Sequence, residues 1–389
     1  MRRMGVLGGT FDPIHQGHLT LAEKAIRTFG LDGVYLAPAG NPPHKDDVAV
    51  SFEHRLQMCR LAVQNHPQIH VTDADMRDGK ASYTASLMKR LHKEYPDTLF
   101  FFMIGADKLP SLPRWHKAEE LFKLCDFIVC PRDGELDAAA LEKVRQSGAS
   151  VHVLETAHFP GASHEIRDQL ARYEDPQELP ESVLAYIAKN GLYRKDILPK
   201  LQGMMNGHRF IHTLGVRDMA VDLALRYRIP VMKSALAALL HDCAKGMPAK
   251  ELRKLALEWH LTEDEEILSS GALLHGIVGA ELAREKFGVT DEEILSAIRC
   301  HTMGKPDMTP LELNIFVADA IEMNREPYEG LEKIRCLAQT SLRCAALQSF
   351  YGTRDYVLSQ GKNFAGRSCD TMRDLESRLT EEEKMLMHA

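Results

Sequence analysis

Met4-Gly-Val-Leu-Gly-Gly-Thr-Phe-Asp-Pro-Ile-His-Gln-Gly-His18 is the stretch on which the reading of this chain turns. Its apolar opening, Met4 to Leu7, reads as the first strand of a sheet. The run breaks at Gly8-Gly9, where the backbone can turn sharply or approach a ligand closely. His15 and His18 follow, three residues apart, at the head of a helical pattern that begins near Gly17. A strand, a glycine turn and a helix N-terminus make a site for phosphate, because free N–H groups and the helix dipole favour negative charge there. Imidazoles three apart on one helix can reach the same phosphate. The plainer alternative is a glycine turn with two incidental surface histidines.

Composition bounds the rest. At 389 residues the chain is too long for one small domain and implies two or three. Apolar residues make up 44% and charged residues 26%, the balance of a globular protein in water. A net charge of −7 argues against a nonspecific grip on nucleic acid, leaving room only for a local basic pocket. The eight cysteines (59, 125, 130, 243, 300, 336, 344 and 369) are scattered without a C-x-x-C pair, which fits reduced thiols rather than disulfides or a zinc ribbon. The first strand begins almost at Met1, so no signal peptide is expected, and no apolar run reaches the ~18 residues of a membrane span. The expectation is a cytoplasmic protein with no membrane partner.

Up to about residue 195, β-like runs alternate with helical ones. Val34–Ala37, Ile69–Val71, Leu99–Ile104, Phe127–Cys130 and Val151–Leu154 read as strands, and helical periodicity occupies 18–29, 51–65, 83–94, 116–125 and 136–147. This alternation predicts an α/β domain, a Rossmann-like parallel sheet with helices on both faces and its ligand beyond the carboxyl ends of the strands. A helical run over 180–190 ends at Gly191, a plausible cap in the left-handed region. Beyond it the pattern changes. No convincing strand follows, and helical stretches run 208–228, 232–244, 275–287, 291–300, 310–323 and 330–359. Two domains are expected, 1–195 (α/β) and 196–389 (all-α).

Gly8-Gly-Thr-Phe-Asp-Pro-Ile-His-Gln-Gly-His18 resembles the signature of the HxGH nucleotidylyltransferases. Asn41-Pro-Pro-His-Lys45, Ser82-Tyr-Thr84, Gly105-Ala-Asp107, Leu112-Pro-Arg-Trp-His116 and the Pro180–Tyr193 segment narrow the resemblance, in order and spacing, to bacterial nicotinate-nucleotide adenylyltransferases. It covers roughly residues 4–194. It implies attack of a mononucleotide 5′-phosphate on the α-phosphorus of ATP, with Mg²⁺ accompanying ATP and pyrophosphate leaving. No protein nucleophile is needed, so positioning and charge stabilisation supply the catalysis. His15 and His18 are the implied catalytic pair, donating to phosphate oxygens. Gly8, Gly9, Thr10, Phe11, Lys45, Thr84, Gly105, Asp107, Ser163 and Arg167 are the implied ATP and substrate contacts, and Trp115 stacks on the nicotinate ring or else anchors the core. Asp12 either joins the site or caps the turn. One departure stands out: where the family carries Ile-Ser-Ser-Thr-x-Ile-Arg, this chain has Gly161-Ala-Ser-His-Glu-Ile-Arg167, so Ala162 and His164 replace hydroxyl residues.

The second half carries a different set. His241-Asp242 ends the apolar run Ala235–Leu240, with His212 upstream and His275, His301 and Asp319 downstream. A lone histidine on an apolar helix is more often a satisfied core residue than a ligand. Asp319, however, sits in Phe-Val-Ala-Asp-Ala, where an unpaired carboxylate would be costly. Imidazole and carboxylate ligands suit iron, manganese or another first-row metal. The order His212, His241-Asp242, His275, His301, Asp319 resembles the HD superfamily of metal-dependent phosphohydrolases, specifically its symmetrical diadenosine-tetraphosphatase branch, over about 200–375. That resemblance implies one or two metal ions, Asp242 bridging and catalytic, and Lys245 and Arg299 meeting polyphosphate. Rival readings of this half are a nucleoside monophosphatase, a cyclic-dinucleotide phosphodiesterase, or a nucleotide sensor regulating the transferase. For the first half the rival is another acceptor, such as phosphopantetheine. The expected partners are ATP, nicotinate mononucleotide and dinucleoside polyphosphates, with a homo-oligomer allowed and nucleic acid not expected.

Overall fold

The structure is a computed structural model that describes residues 1–41, 48–76, 82–131, 136–154, 161–194 and 196–388. The chain divides into two compact units, Met1–Ala171 with Pro176–Tyr186, and Arg172–Asp175 with Ile187–Ala389. No described helix is long and apolar enough to cross a membrane.

The first unit is built on a six-stranded sheet: β1 (Arg2–Gly9), β2 (Gly33–Pro38), β3 (Ile69–Val71), β4 (Thr98–Gly105), β5 (Asp126–Cys130) and β6 (Val151–Val153). The order is β3-β2-β1-β4-β5-β6 and every pairing is parallel. Its helices are α1 (Gln16–Phe29), α2 (Phe52–Ala62), α3 (Thr84–Glu94), α4 (Ala118–Leu124), α5 (Ala138–Gln146), α6 (Ser163–Ala171) and the first part of α7 (Glu181–Asn190), which passes into the second unit at Ile187. Phe100 through Ile104 are all buried, as a parallel strand covered on both faces requires. Alternate residues Phe100, Phe102 and Ile104 join Met4, Val6, Phe127 and Val129 in one core, closed by Leu87, Met88 and Leu91 of α3, Leu121 of α4 and Leu141 of α5. The strand order reverses between β1 and β4, and a crevice opens there.

The second unit is helical among its described residues: α8 (Ile197–Met204), α9 (Gly207–Tyr227), α10 (Val231–Leu240), α11 (Ala249–Glu258), α12 (Glu265–Leu268), α13 (Gly271–Phe287), α14 (Glu292–Cys300), α15 (Pro310–Ile321), α16 (Leu331–Leu337), α17 (Leu342–Ser359), α18 (Gly366–Ser377) and α19 (Glu381–His388). α10 is the central helix, buried at nearly every position. Asn314 of α15 donates through Nδ2 to Ala220 O and Ser234 Oγ, both at 3.0 Å, tying α9, α10 and α15 together.

The six strands fall where the sequence places them, and Gly191 takes the left-handed conformation expected of a helix terminator, with φ +59°. Three expectations need correction. The stretch 330–359 is two helices, α16 and α17, because the chain turns at 338–341 and Ser341 caps the second through its side chain. The helices α6, α8, α11, α12, α18 and α19 have no counterpart in the periodicity reading. They bury narrow faces, Leu252 and Ala256 for α11 and nothing for α19. Finally, Gly8 and Gly9 do not supply a left-handed turn. Phe11, at φ 51°, makes that turn.

Candidate active sites

The first site is assembled at the carboxyl ends of β1 and β4. A cavity of ≈ 1360 Å³ opens there, lined by Gly8, Gly9, Thr10, Phe11, His15, His18, Thr84, Gly105, Asp107, Trp115, Ser163 and Arg167 among others. Every sequence-predicted member of this site therefore borders one space, apart from Lys45, which lies outside the described residues. The volume exceeds that of an ordinary single-ligand pocket.

Each glycine is explained by what a methyl group would strike. A Cβ on Gly8 would sit 2.9 Å from the Phe102 ring, and one on Gly9 would sit 3.1 Å from the Phe11 ring. On Gly105 it would fall 2.4 Å from Asp107 Oδ1, so the bare backbone there leaves room for that carboxylate. The histidines lie together: the rings of His15 and His18 are 3.8 Å apart at 40°. His18 Nδ1 accepts the His15 backbone N–H at 3.3 Å, so a neutral His18 carries its proton on Nε2 and is a donor there. The edge of Phe11 meets the His18 ring at 5.0 Å and fixes it further. The first turn of α1 holds no acidic residue, so its positive end is not compensated locally.

The loop is clamped from outside. Arg55 of α2, only 1% exposed, donates from Nη1 to Thr10 O at 2.7 Å. Asp12 is buried, its Oδ2 accepts from Ala49 N at 2.7 Å, and it borders the same cavity. Ser163 Oγ donates to Pro13 O at 3.1 Å and Arg167 Nη1 to Asp12 O at 2.7 Å. These two survivors of the altered 161–167 segment thus brace the turn, while Ala162 and His164 also face the cavity. Trp115 is half-buried, donates from Nε1 to Ser111 Oγ at 3.2 Å and meets Phe102 edge-on at 6.4 Å. Arg55 escaped the sequence reading because its partner lies 45 residues away in the chain. Replacing it by alanine removes a buried side chain and its bond to the half-buried Thr10 carbonyl, and a loss of about 2–3 kcal/mol in stability is expected from chemical denaturation curves.

The second site collects the ends of five helices. Asp175 accepts from Val231 N at 2.6 Å and Met232 N at 2.9 Å, capping α10, whose other end delivers His241 and Asp242. α9 supplies His212, α13 His275, the end of α14 His301 and α15 Asp319. Gly276 lets α13 approach: a Cβ there would lie 3.2 Å from His301 Nδ1.

Four imidazoles turn Nε2 toward two carboxylates. His212 Nε2 is 3.0 Å from Asp319 Oδ1 and His241 Nε2 is 3.8 Å from the same oxygen. His275 Nε2 and His301 Nε2 lie 3.2 and 3.5 Å from Asp242 Oδ1, and 3.1 Å from each other. Three of the rings are tied back through Nδ1: His241 to Ala238 O at 2.6 Å, His301 to Ile298 O at 2.7 Å and His212 to Glu322 Oε1 at 3.1 Å. Donation at Nδ1 leaves Nε2 with a bare lone pair, the usual arrangement of a metal-ligating histidine. Nε2 of His212, Nε2 of His241 and Oδ1 of Asp242 are buried close to neighbours yet out of line for hydrogen bonds. Two sets of potential ligand atoms each fall within 4.8 Å, His212–His241–Asp319 and His241–Asp242–His301. Buried lone pairs converging without hydrogen bonds fit a cation.

The electrostatics agree. Burial lowers His241 to about 4, and His275 is lowered for the same first reason, so both stay neutral at pH 7. Burial would raise Asp242 and Asp319, but the surrounding imidazoles and cations hold both well below the usual carboxylate range. For His212 burial is outweighed by the Asp319 and Glu322 carboxylates, which raise it. Lys245 Nζ stands 2.9 Å from Asp242 Oδ2 and Arg325 Nη2 stands 3.1 Å from Asp319 Oδ1, so each carboxylate meets one cation. Arg299 is placed on Glu281, Nη2 to Oε1 3.5 Å. Cys243, beside Asp242, is pushed up to about 12 by burial and donates from Sγ to Gly279 O, so thiolate plays no part. Sequence reasoning missed Glu322 and Arg325. A carboxylate one helical turn after Asp319 was the available signal.

Family models match both halves: cytidylyltransferase-like over residues 6–170 and HD domain over 209–324. The chain is 30% identical over 362 residues, covering 92% of itself and 100% of the relative, to a Mycoplasma pneumoniae protein named "Probable nicotinate-nucleotide adenylyltransferase/Ap4A hydrolase". A Synechococcus relative named "Probable nicotinate-nucleotide adenylyltransferase" is 39% identical over 199 residues, 49% of this chain and 95% of that one. Among solved structures, a Clostridium acetobutylicum "predicted HD superfamily hydrolase involved in NAD metabolism" is 35% identical, with a TM-score of 0.46, covering 47% of this chain and 96% of its own.

Proposed function

The chain belongs to the family of two-domain nicotinate-nucleotide adenylyltransferase/Ap4A hydrolases, and from that premise we propose that it performs two reactions at two separate sites. The N-terminal unit transfers AMP from ATP to nicotinate mononucleotide, giving nicotinate adenine dinucleotide and pyrophosphate. The C-terminal unit hydrolyses dinucleoside tetraphosphates symmetrically to two nucleoside diphosphates. The observation that carries the first assignment is the close, tilted His15–His18 pair at the mouth of α1, inside a cavity large enough for two nucleotides. For the second it is the convergence of four imidazole Nε2 atoms on Asp242 and Asp319.

In adenylyl transfer the residues act by placement. The mononucleotide phosphate oxygen bonds to the α-phosphorus as the bond to the pyrophosphate oxygen breaks, and Mg²⁺ enters with ATP as part of the substrate. His18 donates from Nε2 to an α- or β-phosphate oxygen, where charge builds, and His15 beside it does the same. Thr10, at the turn before α1, completes the cradle. Trp115 presents an indole to the flat pyridine ring, which favours nicotinate mononucleotide over phosphopantetheine as acceptor. Trp115→Ala is expected to raise KM for nicotinate mononucleotide about tenfold, from the loss of roughly 1–1.5 kcal/mol of stacking, while KM for ATP changes little. Equal increases in both would assign Trp115 to the core instead.

In the hydrolase, His212, His241, His275, His301, Asp242 and Asp319 would hold one or two ions, iron or manganese by donor type. Such an ion, when bound, acidifies water and polarises phosphate oxygens. His241 is common to the two ligand sets, and Asp242, a member of one of them, would be the carboxylate shared between ions if two are held. Lys245 and Arg325, each on one carboxylate, are placed to exchange that partner for phosphate oxygens. Product analysis separates the rivals. Diadenosine tetraphosphate should yield ADP alone, whereas turnover only of nucleoside monophosphates or cyclic dinucleotides, or binding without turnover, would reassign the domain.

A further inference from the structure

We infer that Glu322 is a positioning residue for the metal ligand His212, and that Gly215 exists to admit it. The inference rests on the reading of the helical unit as a metal site. Glu322 follows the last residue of α15 and is 1% exposed. Its Oε1 accepts from His212 Nδ1 at 3.1 Å, and its Oε2 accepts from Asn324 N at 2.6 Å. Both groups facing the carboxylate are therefore donors. Only a carboxylate answers two donors at once, because a carboxamide of the same shape offers one acceptor and one further donor. The backbone around it is also held: Arg335 donates from Nε to Ile321 O at 3.2 Å and from Nη2 to Glu322 O at 3.0 Å, capping the end of α15.

Across from this carboxylate runs α9. A Cβ on Gly215 would sit 2.1 Å from Glu322 Oε2 and 3.0 Å from Asn324 Nδ2. No residue larger than glycine leaves Glu322 where it is. Gly215 lies three residues after His212 on the same helix, so it touches no ligand and yet sets the position of the group that orients one. The consequence is specific. Glu322 holds the Nδ1 proton of His212 and aims Nε2 at Asp319, whereas His241 and His301 receive the same service from backbone carbonyls. Of the three rings tied back through Nδ1, His212 is thus the one held there by a side chain, and so the one open to adjustment at that nitrogen by substitution.

The test uses the full-length protein and Zn²⁺ as a diamagnetic probe. Dissociation constants are measured by competition with a chromophoric chelator for wild type, Glu322→Gln, Glu322→Ala and Gly215→Ala. Alongside, the His212 Nδ1–H resonance is followed by proton NMR, assigned by its loss in His212→Ala. Melting temperatures are recorded for every apo protein. Glu312→Gln is the control, since Glu312 is equally buried but caps α15 instead. The expected result is a 10–100-fold loss of affinity for Glu322→Ala and Gly215→Ala, a smaller loss for Glu322→Gln, and faster solvent exchange of the His212 proton in all three. Glu312→Gln should lower the melting temperature without changing affinity. Wild-type protein that takes up no Zn²⁺ would overturn the metal reading and this inference with it. Uptake by wild type that is unchanged in folded Glu322 and Gly215 variants would overturn the inference alone.

Discussion

His241→Ala is expected to abolish hydrolysis of dinucleoside tetraphosphates, by at least about 10³-fold, and to strip the helical unit of its metal while adenylyl transfer continues unchanged. His241 is fully buried, points Nε2 at both carboxylates and belongs to both groups of potential ligand atoms. Losing about 4 kcal/mol of transition-state stabilisation accounts for a factor of about 10³, and a metal supplies several kcal/mol by acidifying water and polarising phosphate. Two further measurements follow from the same site. Saturating metal, at about a hundred times its dissociation constant, should stabilise wild type by roughly 2.7 kcal/mol and leave the variant unmoved in thermal melts. Acid should also weaken metal binding in a definite order. His241, lowered to about 4, and the two carboxylates keep their lone pairs well into the acid range. His212 is raised above the ordinary histidine value by the Asp319 and Glu322 carboxylates, so it takes a proton before His241 and His275 as pH falls, and affinity should drop with it. An affinity constant from pH 8 to pH 5 would contradict that assignment.

His18→Ala is expected to lower kcat for nicotinate adenine dinucleotide formation by about 10²–10³-fold, the usual cost of removing one donor to a developing oxyanion. Hydrolysis at the other site should be untouched. The expectation depends on geometry: His15 N–H on Nδ1 and the Phe11 edge leave Nε2 as the one donor the ring offers. A structural role alone would lower the melting temperature through lost contact with Phe11 and leave kcat close to wild type. His15→Ala should fall in the same range. The double variant should lose less than the product of the two, because the rings lie close together and act on neighbouring oxygens.

Much of this was legible in the sequence, and the limits have physical causes. Six strands could be placed because parallel strands buried on both faces are continuous apolar runs, as at Phe100–Ile104. Asp319 stood out because a carboxylate inside an apolar helix demands a partner, and His212, His241, Asp242, His275 and His301 stood out by their company and order; the structure brings all six together. The reading of Gly8 and Gly9 located the site but not the packing that also calls for bare backbone there. Their need is for room against Phe102 and Phe11, a tertiary contact that periodicity cannot express. Arg55 was illegible for the same cause: a buried arginine beneath Thr10 acquires meaning only when segments 45 residues apart meet. Glu322 and Arg325 lie three and six residues beyond Asp319 and were within reach of the sequence, although the role of Glu322 behind His212 spans 110 residues. Ser163 and Arg167 show the complementary limit. The resemblance directs them to ATP, and the structure also gives each a loop carbonyl to hold. The four-residue α12 buries too little to leave a periodic trace, whereas α11 carries a clear amphipathic period that the sequence reading passed over.

The central claim, two independent sites on one chain with symmetrical cleavage at the second, is tested most directly by one product analysis. Metal-loaded wild type, His18→Ala and His241→Ala are each supplied with diadenosine tetraphosphate, and the nucleotides formed are separated and quantified. The account predicts two ADP per substrate consumed by wild type and by His18→Ala, and no ADP from His241→Ala. Formation of AMP with ATP, or undiminished cleavage by His241→Ala, would contradict it.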